Sequence, residues 1–494
     1  MPAMGPELLP KVASPTAPVV RARYLATSRT SQLIKKNPLI TWNAHISTPR
    51  LAPLAAALLL LSGCASTVWD EVNLMPAPDV YADGRLDPLP DRDPMELVPY
   101  GGILYATDRR PASDGDSEKY YISDRGQLLR LGVARVTLHD ADVDWNEVRQ
   151  ISLSKSRPKD YPIRVTGVTE FGILEDTIPG FASREDYGDE LLDGDEQFAA
   201  AVNAQLARSK RKHVYIYVHG YKVVFENPML VAAELWHFLG YDGVMVGYAW
   251  PSTPNKWAYF RDTDTANGYA RHLRKFLEYL AERTDAEEIH VIAYSNGTRL
   301  AARALEQLAL MNEGKTRQEM FNRHRLGHFV MVGSDLDRQV FAAYLADGAL
   351  DVPRHISVYV SEKDKALGFS RWITRRDRLG QVIVEEDLSV GGRRLLEERR
   401  DHISVIDVTD AEGASTGNGH GYFRNSPWAS SDILMMLMYG LEPEQRGLQL
   451  RANFPVYEFP PDYIERLWAA IEAIDPAFEA KSGPRKVEPT GQGR

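Results

Sequence analysis

Ser295 stands at the corner of "EEIHVIAYSNGTRLAARAL", between an apolar run rich in β-branched residues and a run of helix formers. A serine hydroxyl is a weak nucleophile until a histidine takes its proton and a carboxylate orients that histidine. The corner suits such a serine. A strand that turns straight into a helix lifts the side chain above the carboxyl edge of a sheet. There it lies over unpaired amides at the helix N-terminus, which favour developing negative charge. The turn also brings backbone against backbone, so the residues two places either side must be small. They are Ala293 and Gly297. The pattern is the G-x-S-x-G corner with alanine for the first glycine. Serines between small residues also cap helices, so the rest of the chain has to supply the context.

An earlier apolar run ends in "VHGY", His219-Gly220-Tyr221. In a strand–Ser–helix arrangement, the loop after that earlier strand and the residue after the serine each offer a backbone N–H to an oxyanion. Tyr221 and Asn296 are the expected donors. The acid and the histidine follow the serine in chain order. His402 and His420 come late enough. His402 opens a strand-like run and reads as structural, whereas His420 lies in the glycine-rich loop "GASTGNGHGYF", where a side chain can reach back to Ser295. The acid candidates are Asp335 and Asp337 in "GSDLDRQ" and Asp364 in "VSEKDKAL", each just past a strand-like run. Asp337 also reads as a helix N-cap. Asp364 follows the strand immediately before the one that leads to His420, which favours it, with Asp337 and Asp335 as alternatives.

These residues need a scaffold that aligns strand ends. From residue 212 strands and helices alternate: "HVYIYVHGY", "PMLVAAELWHFLG", "GVMVGYAWP", "TANGYARHLRKFLEYLAERT", "EEIHVIAY", "GTRLAARALEQLAL", "GHFVMVGS", "RQVFAAYLAD", "HISVYVSEKD", "HISVIDVTD" and "SSDILMMLMYG". Tyr269, Leu273, Phe276 and Leu280 give one of these helices an apolar stripe at spacings of three and four. The alternation predicts a mostly parallel central sheet with helices on both faces. Residues 99–211 carry further strand-like runs and read as an extra N-terminal β segment. Together with a core over 212–440 they make a domain over 99–479, and 480–494 reads as a disordered tail.

The chain has 494 residues, 44% hydrophobic and 26% charged, enough for a large core. Its net charge of −10 argues against nucleic-acid binding, which needs a basic face. The arginine-rich stretch 371–402 is a local exception in which opposite charges interleave, as on a solvated helical face. It and the stretch 250–264 are the candidates for a lid. The chain has one cysteine, so neither an intrachain disulfide nor a multi-thiolate zinc site can form. That residue, Cys64, ends "LAPLAAALLLLSGC". The apolar run Leu51–Leu61 is too short to span a ~30 Å bilayer core and follows Lys35, Lys36, His45 and Arg50, as a signal-peptide h-region follows positive charge. "LSGC" resembles a bacterial lipobox, whose cysteine is lipidated. Residues 1–63 are therefore read as signal peptide and N-terminal extension. Residues 64–98, rich in Pro and Asp, are read as a tether. Ala65 after the cysteine suggests the outer membrane, facing the periplasm.

The pieces "ILYATDRR", "RLGVARV", "YVHGYKVVFE", "YAWPS", "YSNGTRLAARAL", "GSDLDRQVF", "VYVSEKDKALGFSR" and "GHGYF" occur in one order over Tyr100 to Tyr439. In this the chain resembles a bacterial α/β-hydrolase family of unknown function, found among predicted lipoproteins and esterases. The resemblance implies the α/β-hydrolase fold and Ser295, Asp364 and His420 as a triad. Family members commonly read H-S-M-G at the serine, where this chain has Tyr294 and Asn296 around it. The expectation is a lipid-anchored envelope serine hydrolase acting on a small-molecule or lipid ester, or a thioester. It would use no cofactor or metal, and no nucleic-acid partner. The alternatives are a non-catalytic envelope binding protein and an acyltransferase with the same triad.

Overall fold

The computed structural model describes residues 70–475, apart from 85, 139–142, 189–192 and 385–387. The signal segment, Cys64 and the 480–494 tail lie outside the described residues.

One sheet of twelve strands positions everything that follows. In chain order the strands are β1 (Glu71–Asn73), β2 (Ile103–Pro111), β3 (Tyr121–Leu138), β4 (Pro162–Ile173), β5 (His213–Val218), β6 (Val244–Ala249), β7 (Glu288–Tyr294), β8 (Leu326–Val332), β9 (His355–Val360), β10 (Ile403–Asp407), β11 (Gln449–Leu450) and β12 (Tyr457–Glu458). Across the sheet they run β1-β4-β3-β2-β6-β5-β7-β8-β9-β10-β12-β11. From β2 to β12 neighbours are parallel. The antiparallel strands β3, β4 and β1 extend one edge, and β11 closes the other.

Strands buried on both faces need apolar residues at nearly every position, and β5 shows how they are used. Val214, Ile216 and Val218 point into one core with Leu273, Leu300 and Leu305. Tyr215 and Tyr217 point into the other, with Met229, Trp236 and Met435. The period of two divides one strand between two layers of helices. Helices Tyr259–Arg283 and Gly297–Met311 cover the first face, and Glu226–Phe238 and Pro427–Tyr439 cover the second.

The winding sets the location of the site. From β5 the chain moves to β6 on one side, then returns to β7 on the other side of β5. Such a reversal opens a crevice beyond the carboxyl ends of the strands, where open α/β sheets bind ligands. The ends of β5 and β7 lead into His219-Gly220-Tyr221 and Ser295.

One expectation needs correction. Residues 64–98 read as a tether, but the described part, from residue 70, packs onto the domain. Val72, Met75, Val80, Tyr81, Leu86 and Leu89 are buried, and β1 joins the sheet. Tyr81 Oη donates to the Phe238 carbonyl at 2.6 Å, and the Val80 amide donates to Ser431 Oγ at 3.1 Å. The apolar residues here lie on extended chain and 3-10 turns between prolines, so no helical or strand period marks them. The expected extra N-terminal β segment is part of the same sheet: β3, β4 and β1 extend its edge, and β2 pairs in parallel with β6.

Candidate active site

The predicted corner is present. β7 ends at Tyr294, and the helix begins at Gly297. Ser295 holds φ at 53°, the left-handed region that non-glycine residues rarely occupy. Such strain costs on the order of 1–3 kcal/mol, and only a surround that over-determines the backbone maintains it. The Ser295 amide donates to the Val332 carbonyl at 2.9 Å, and the Asp335 amide donates to the Ser295 carbonyl at 3.3 Å. Gly297 explains the small-residue rule: a Cβ there would lie 2.2 Å from the His219 carbonyl oxygen.

Ser295 and Asp364, 125 and 56 residues before His420 along the chain, meet it above this corner. Ser295 Oγ is 2.8 Å from His420 Nε2, and His420 Nδ1 is 2.6 Å from Asp364 Oδ2. All three are buried. With Nδ1–H donating to the carboxylate, Nε2 is the acceptor and can receive the Oγ proton. Asp364 is fixed by a second bond, because its Oδ1 caps helix Lys365–Thr374 by accepting from the Leu367 amide at 3.0 Å. The His420 loop is tied to the same place: its amide donates to Asn418 Oδ1 at 3.1 Å, and the Lys365 amide donates to the Asn418 carbonyl at 3.0 Å. Gly333, at φ 52°, lies beneath the imidazole, where a Cβ would crowd His420 Cε1 at 3.1 Å. The Tyr294 ring packs 4.9 Å from the His420 ring and 4.9 Å from Phe423. An aromatic ring there backs the imidazole without a second titratable histidine.

The loop after β5 owes its shape to His219, a residue with no motif signature of its own in the sequence. His219 stacks on Trp250 at 5.1 Å, and its Nδ1 is 2.5 Å from the Gly220 carbonyl oxygen. Trp250 Nε1–H donates back to the His219 carbonyl at 2.6 Å. Burial, with Arg109 nearby, holds the His219 imidazole well below the ordinary histidine range, so it is neutral. Fixing the Gly220 carbonyl fixes its planar peptide, and the Tyr221 N–H on the far side of that plane then points away from His219. The Tyr221 and Asn296 amides have no acceptor among the described residues, as amides free for an oxyanion would.

Asp335 and Asp337 do not contact His420. Asp337 is the N-cap of helix Arg338–Ala346, accepting from the Gln339 amide at 2.8 Å and the Val340 amide at 3.3 Å. Asp335 is a buried carboxyl group that gathers the wall of the site. It accepts from Tyr259 Oη at 2.8 Å, Ser370 Oγ at 2.5 Å and Asn296 Nδ2 at 3.3 Å. Arg378 and Arg299 stand 3.4 and 3.5 Å from it. The Asn296 side chain is thus engaged with this hub. His402 lies beside β10, away from the serine, 3.2 Å from Asp401.

At the opposite ends of β5 and β7, His213, Glu288 and His290 bring possible metal-ligand atoms together. The hydrogen bonds there give another account. His290 Nδ1 accepts from the His328 amide at 3.0 Å. Its proton is then on Nε2, which faces His213 Nδ1 at 3.1 Å. That nitrogen is a donor and has no lone pair for a cation.

Residues 195–436 match the profile of a family described as "Alpha/beta hydrolase of unknown function (DUF900)". The matched span contains Ser295, Asp364 and His420. Comparison with curated proteins finds no match. Among solved structures, "Thermogutta terrifontis esterase 2 phosphoramylated by tabun" aligns at 11% identity and a TM-score of 0.27, over 46% of this chain and 81% of that chain. "AbyA5 Wildtype" aligns at 14% identity and a TM-score of 0.24, over 53% and 77%.

Proposed function

We propose, from the premise that the chain carries an α/β-hydrolase domain of that family of unknown function across residues 195–436, that it is a serine hydrolase of carboxylic esters or thioesters. The observation that carries the reading is the unbroken line Ser295 Oγ–His420 Nε2, 2.8 Å, and His420 Nδ1–Asp364 Oδ2, 2.6 Å. Ser295 Oγ attacks the acyl carbon as its proton passes to His420 Nε2. Asp364 holds the tautomer and stabilises the imidazolium. The carbonyl oxygen becomes an oxyanion against the Tyr221 and Asn296 amides, above the N-terminus of helix Gly297–Met311. His420 returns the proton to the departing alcohol or thiol, which leaves an acyl-enzyme. Water then attacks that ester, its proton goes to Nε2, and Ser295 recovers the proton as the acid departs.

Cys64 is proposed as a lipidated residue that holds the domain at the bacterial cell envelope, on the outer membrane facing the periplasm. The support is the "LSGC" motif behind an apolar run. No helix among the described residues is long and apolar enough to span a membrane.

A fluorophosphonate probe tests the nucleophile. It should label the protein at Ser295, and Ser295→Ala should abolish both labelling and ester turnover, with a loss of ~10⁶ in kcat. A variant that kept its labelling would end this assignment. Product analysis with added alcohol or amine distinguishes hydrolysis from acyl transfer. Membrane fractionation of Cys64→Ala, with intact-mass analysis, tests the anchor.

A further inference from the structure

Two segments beside the candidate site leave large aromatic side chains in solvent. Trp257 is 81% exposed and Phe260 61%; on helix Lys365–Thr374, Phe369 is 57% exposed and Trp372 75%. The Phe369 and Trp372 rings stack with centroids 6.0 Å apart. The two segments are joined, because Tyr259 Oη lies 2.8 Å from Ser370 Oγ. The Tyr259 ring meets Phe260 at 5.4 Å and Tyr221, in the loop after β5, at 5.6 Å. The helix that carries Phe369 and Trp372 is the one capped by Asp364. Scattered exposed apolar residues need no explanation, but a group of large aromatics around a site marks an interaction surface.

Charge identifies what covers it. The chain carries −10 overall, yet Lys365, Arg371, Arg375 and Arg376 are exposed here; Arg371 is paired with the exposed Asp377 at 2.9 Å and Arg376 lies 3.7 Å from Asp337, which leaves this face with an excess of positive charge. Arg371 and Arg375, one helical turn apart, border an open groove of 810 Å³ together with Trp372. Tryptophan and phenylalanine beside guanidinium groups make the composition that settles where headgroups meet acyl chains. Anionic headgroups add attraction for each nearby cation. A second copy docking through the same face in a two-fold contact would bring like charge against it.

We infer that this face docks on a bilayer surface carrying anionic phospholipid. Arg371 and Arg375 meet headgroup phosphates, and Phe369, Trp372 and Phe260 enter the acyl boundary. The consequence for substrate rests on the Ser295 reading: the site faces the membrane, and the substrate class is the acyl esters of membrane lipids.

The test uses the full chain with Cys64→Ala, so that no acyl anchor contributes. Co-sedimentation is measured with vesicles of phosphatidylcholine alone and of phosphatidylcholine mixed with phosphatidylglycerol. Binding should favour the anionic vesicles, weaken with salt, and fall at least ~10-fold in Arg371→Glu/Arg375→Glu and in Phe369→Ser/Trp372→Ser. Both variants should melt like the parent and hydrolyse a soluble short ester at the parent rate, while losing turnover of an ester lipid embedded in anionic vesicles. Unchanged vesicle binding in both variants overturns the inference. So does concentration-dependent self-association that the aromatic variant removes. Binding is read without turnover, so an inactive protein that still binds refutes the Ser295 reading alone.

Discussion

Replacing Asp364 with asparagine separates two tasks performed by one carboxylate. Oδ1 caps helix Lys365–Thr374 through the Leu367 amide at 3.0 Å, and Oδ2 faces His420 Nδ1 at 2.6 Å. Asparagine keeps the cap, because its carbonyl oxygen accepts the same amide and the two residues cap about equally well. With the oxygen held by the helix, the side-chain NH₂ takes the place of Oδ2 and donates to His420. Nδ1 must now accept, so neutral imidazole carries its proton on Nε2. That nitrogen is 2.8 Å from Ser295 Oγ and can no longer receive the serine proton. In the Ser-His-Asp template this wrong tautomer costs ~10⁴ in kcat, or ~5.4 kcal/mol of barrier at ~1.36 kcal/mol per tenfold. Folding stability should fall by only ~1.5–3 kcal/mol, the scale of one hydrogen bond to a charged group. Steady-state kinetics on a chromogenic short-chain ester, paired with thermal melts, read both quantities. A kcat loss below about tenfold in a normally folded variant refutes the tautomer argument.

The neighbouring carboxylates should behave differently. Asp337→Asn keeps its cap, so stability should stay within ~0.5 kcal/mol and turnover should be unchanged, by the same assays. Asp335→Asn leaves Arg378 and Arg299 beside a neutral group. It should destabilise by ~3 kcal/mol on chemical denaturation, while kcat measured below the melting range falls less than about tenfold. Ser295→Gly should melt higher than Ser295→Ala, by ~1 kcal/mol of stability, because only glycine relieves the 53° φ; equal melting would show that the corner is unstrained. Acid should unfold the protein through its buried histidines. Burial holds His328 at about 3, aided by its neighbour His355, and it holds His355 at about 4, aided by Arg446. Burial also lowers His237 to about 3. A histidine with a depressed folded pKa binds its proton more readily when unfolded, so this stability is complete above ~6.5 and is lost as pH falls below it. Melting temperatures taken from about pH 8 to about pH 4 should stay level, then decline below ~6.5, with a shallower decline in His328→Gln.

Much of the fold was legible because its signals are local. β5, β7, β8 and β9 are short apolar runs, each followed at once by a small or polar residue (His219, Ser295, Gly333 and Ser361), and His219, Ser295, Asp335 and Asp364 stand within four residues of those ends. A parallel sheet aligns such ends at one edge, so strand boundaries alone nominate side chains for a shared site. His420 was reachable by its late place in a glycine-rich loop. Long-range features left no such trace. β2 pairs with β6 across about 140 residues, and residues 70–98 bury isolated apolar side chains without a period. The roles of His219 and Asp335 depend on ring and carboxylate contacts that no spacing encodes. Aspartates after strands look alike in sequence; Asp337 caps, Asp335 gathers donors, and Asp364 faces a histidine.

Helix Lys365–Thr374 links these separate observations. Its N-cap is the carboxylate that orients His420. Nearly two turns on, Ser370 joins the Asp335 hub that also holds Tyr259 and Asn296. On its other side Phe369, Arg371 and Trp372 face outward. If Asp364 is the triad acid and the aromatic face docks on a membrane, as proposed, this helix joins the two through one element. When the aromatic face lies in a headgroup layer, the residues around Ser295 have a set height above that layer. Acyl chains reaching the serine would be selected by that height. The chain-length preference of the enzyme on vesicle-embedded esters should therefore differ from its preference on dispersed ones. The difference should vanish in Phe369→Ser/Trp372→Ser, where the helix no longer sets the distance. A preference that is the same in both settings for the parent protein would show that the pocket alone measures the chain.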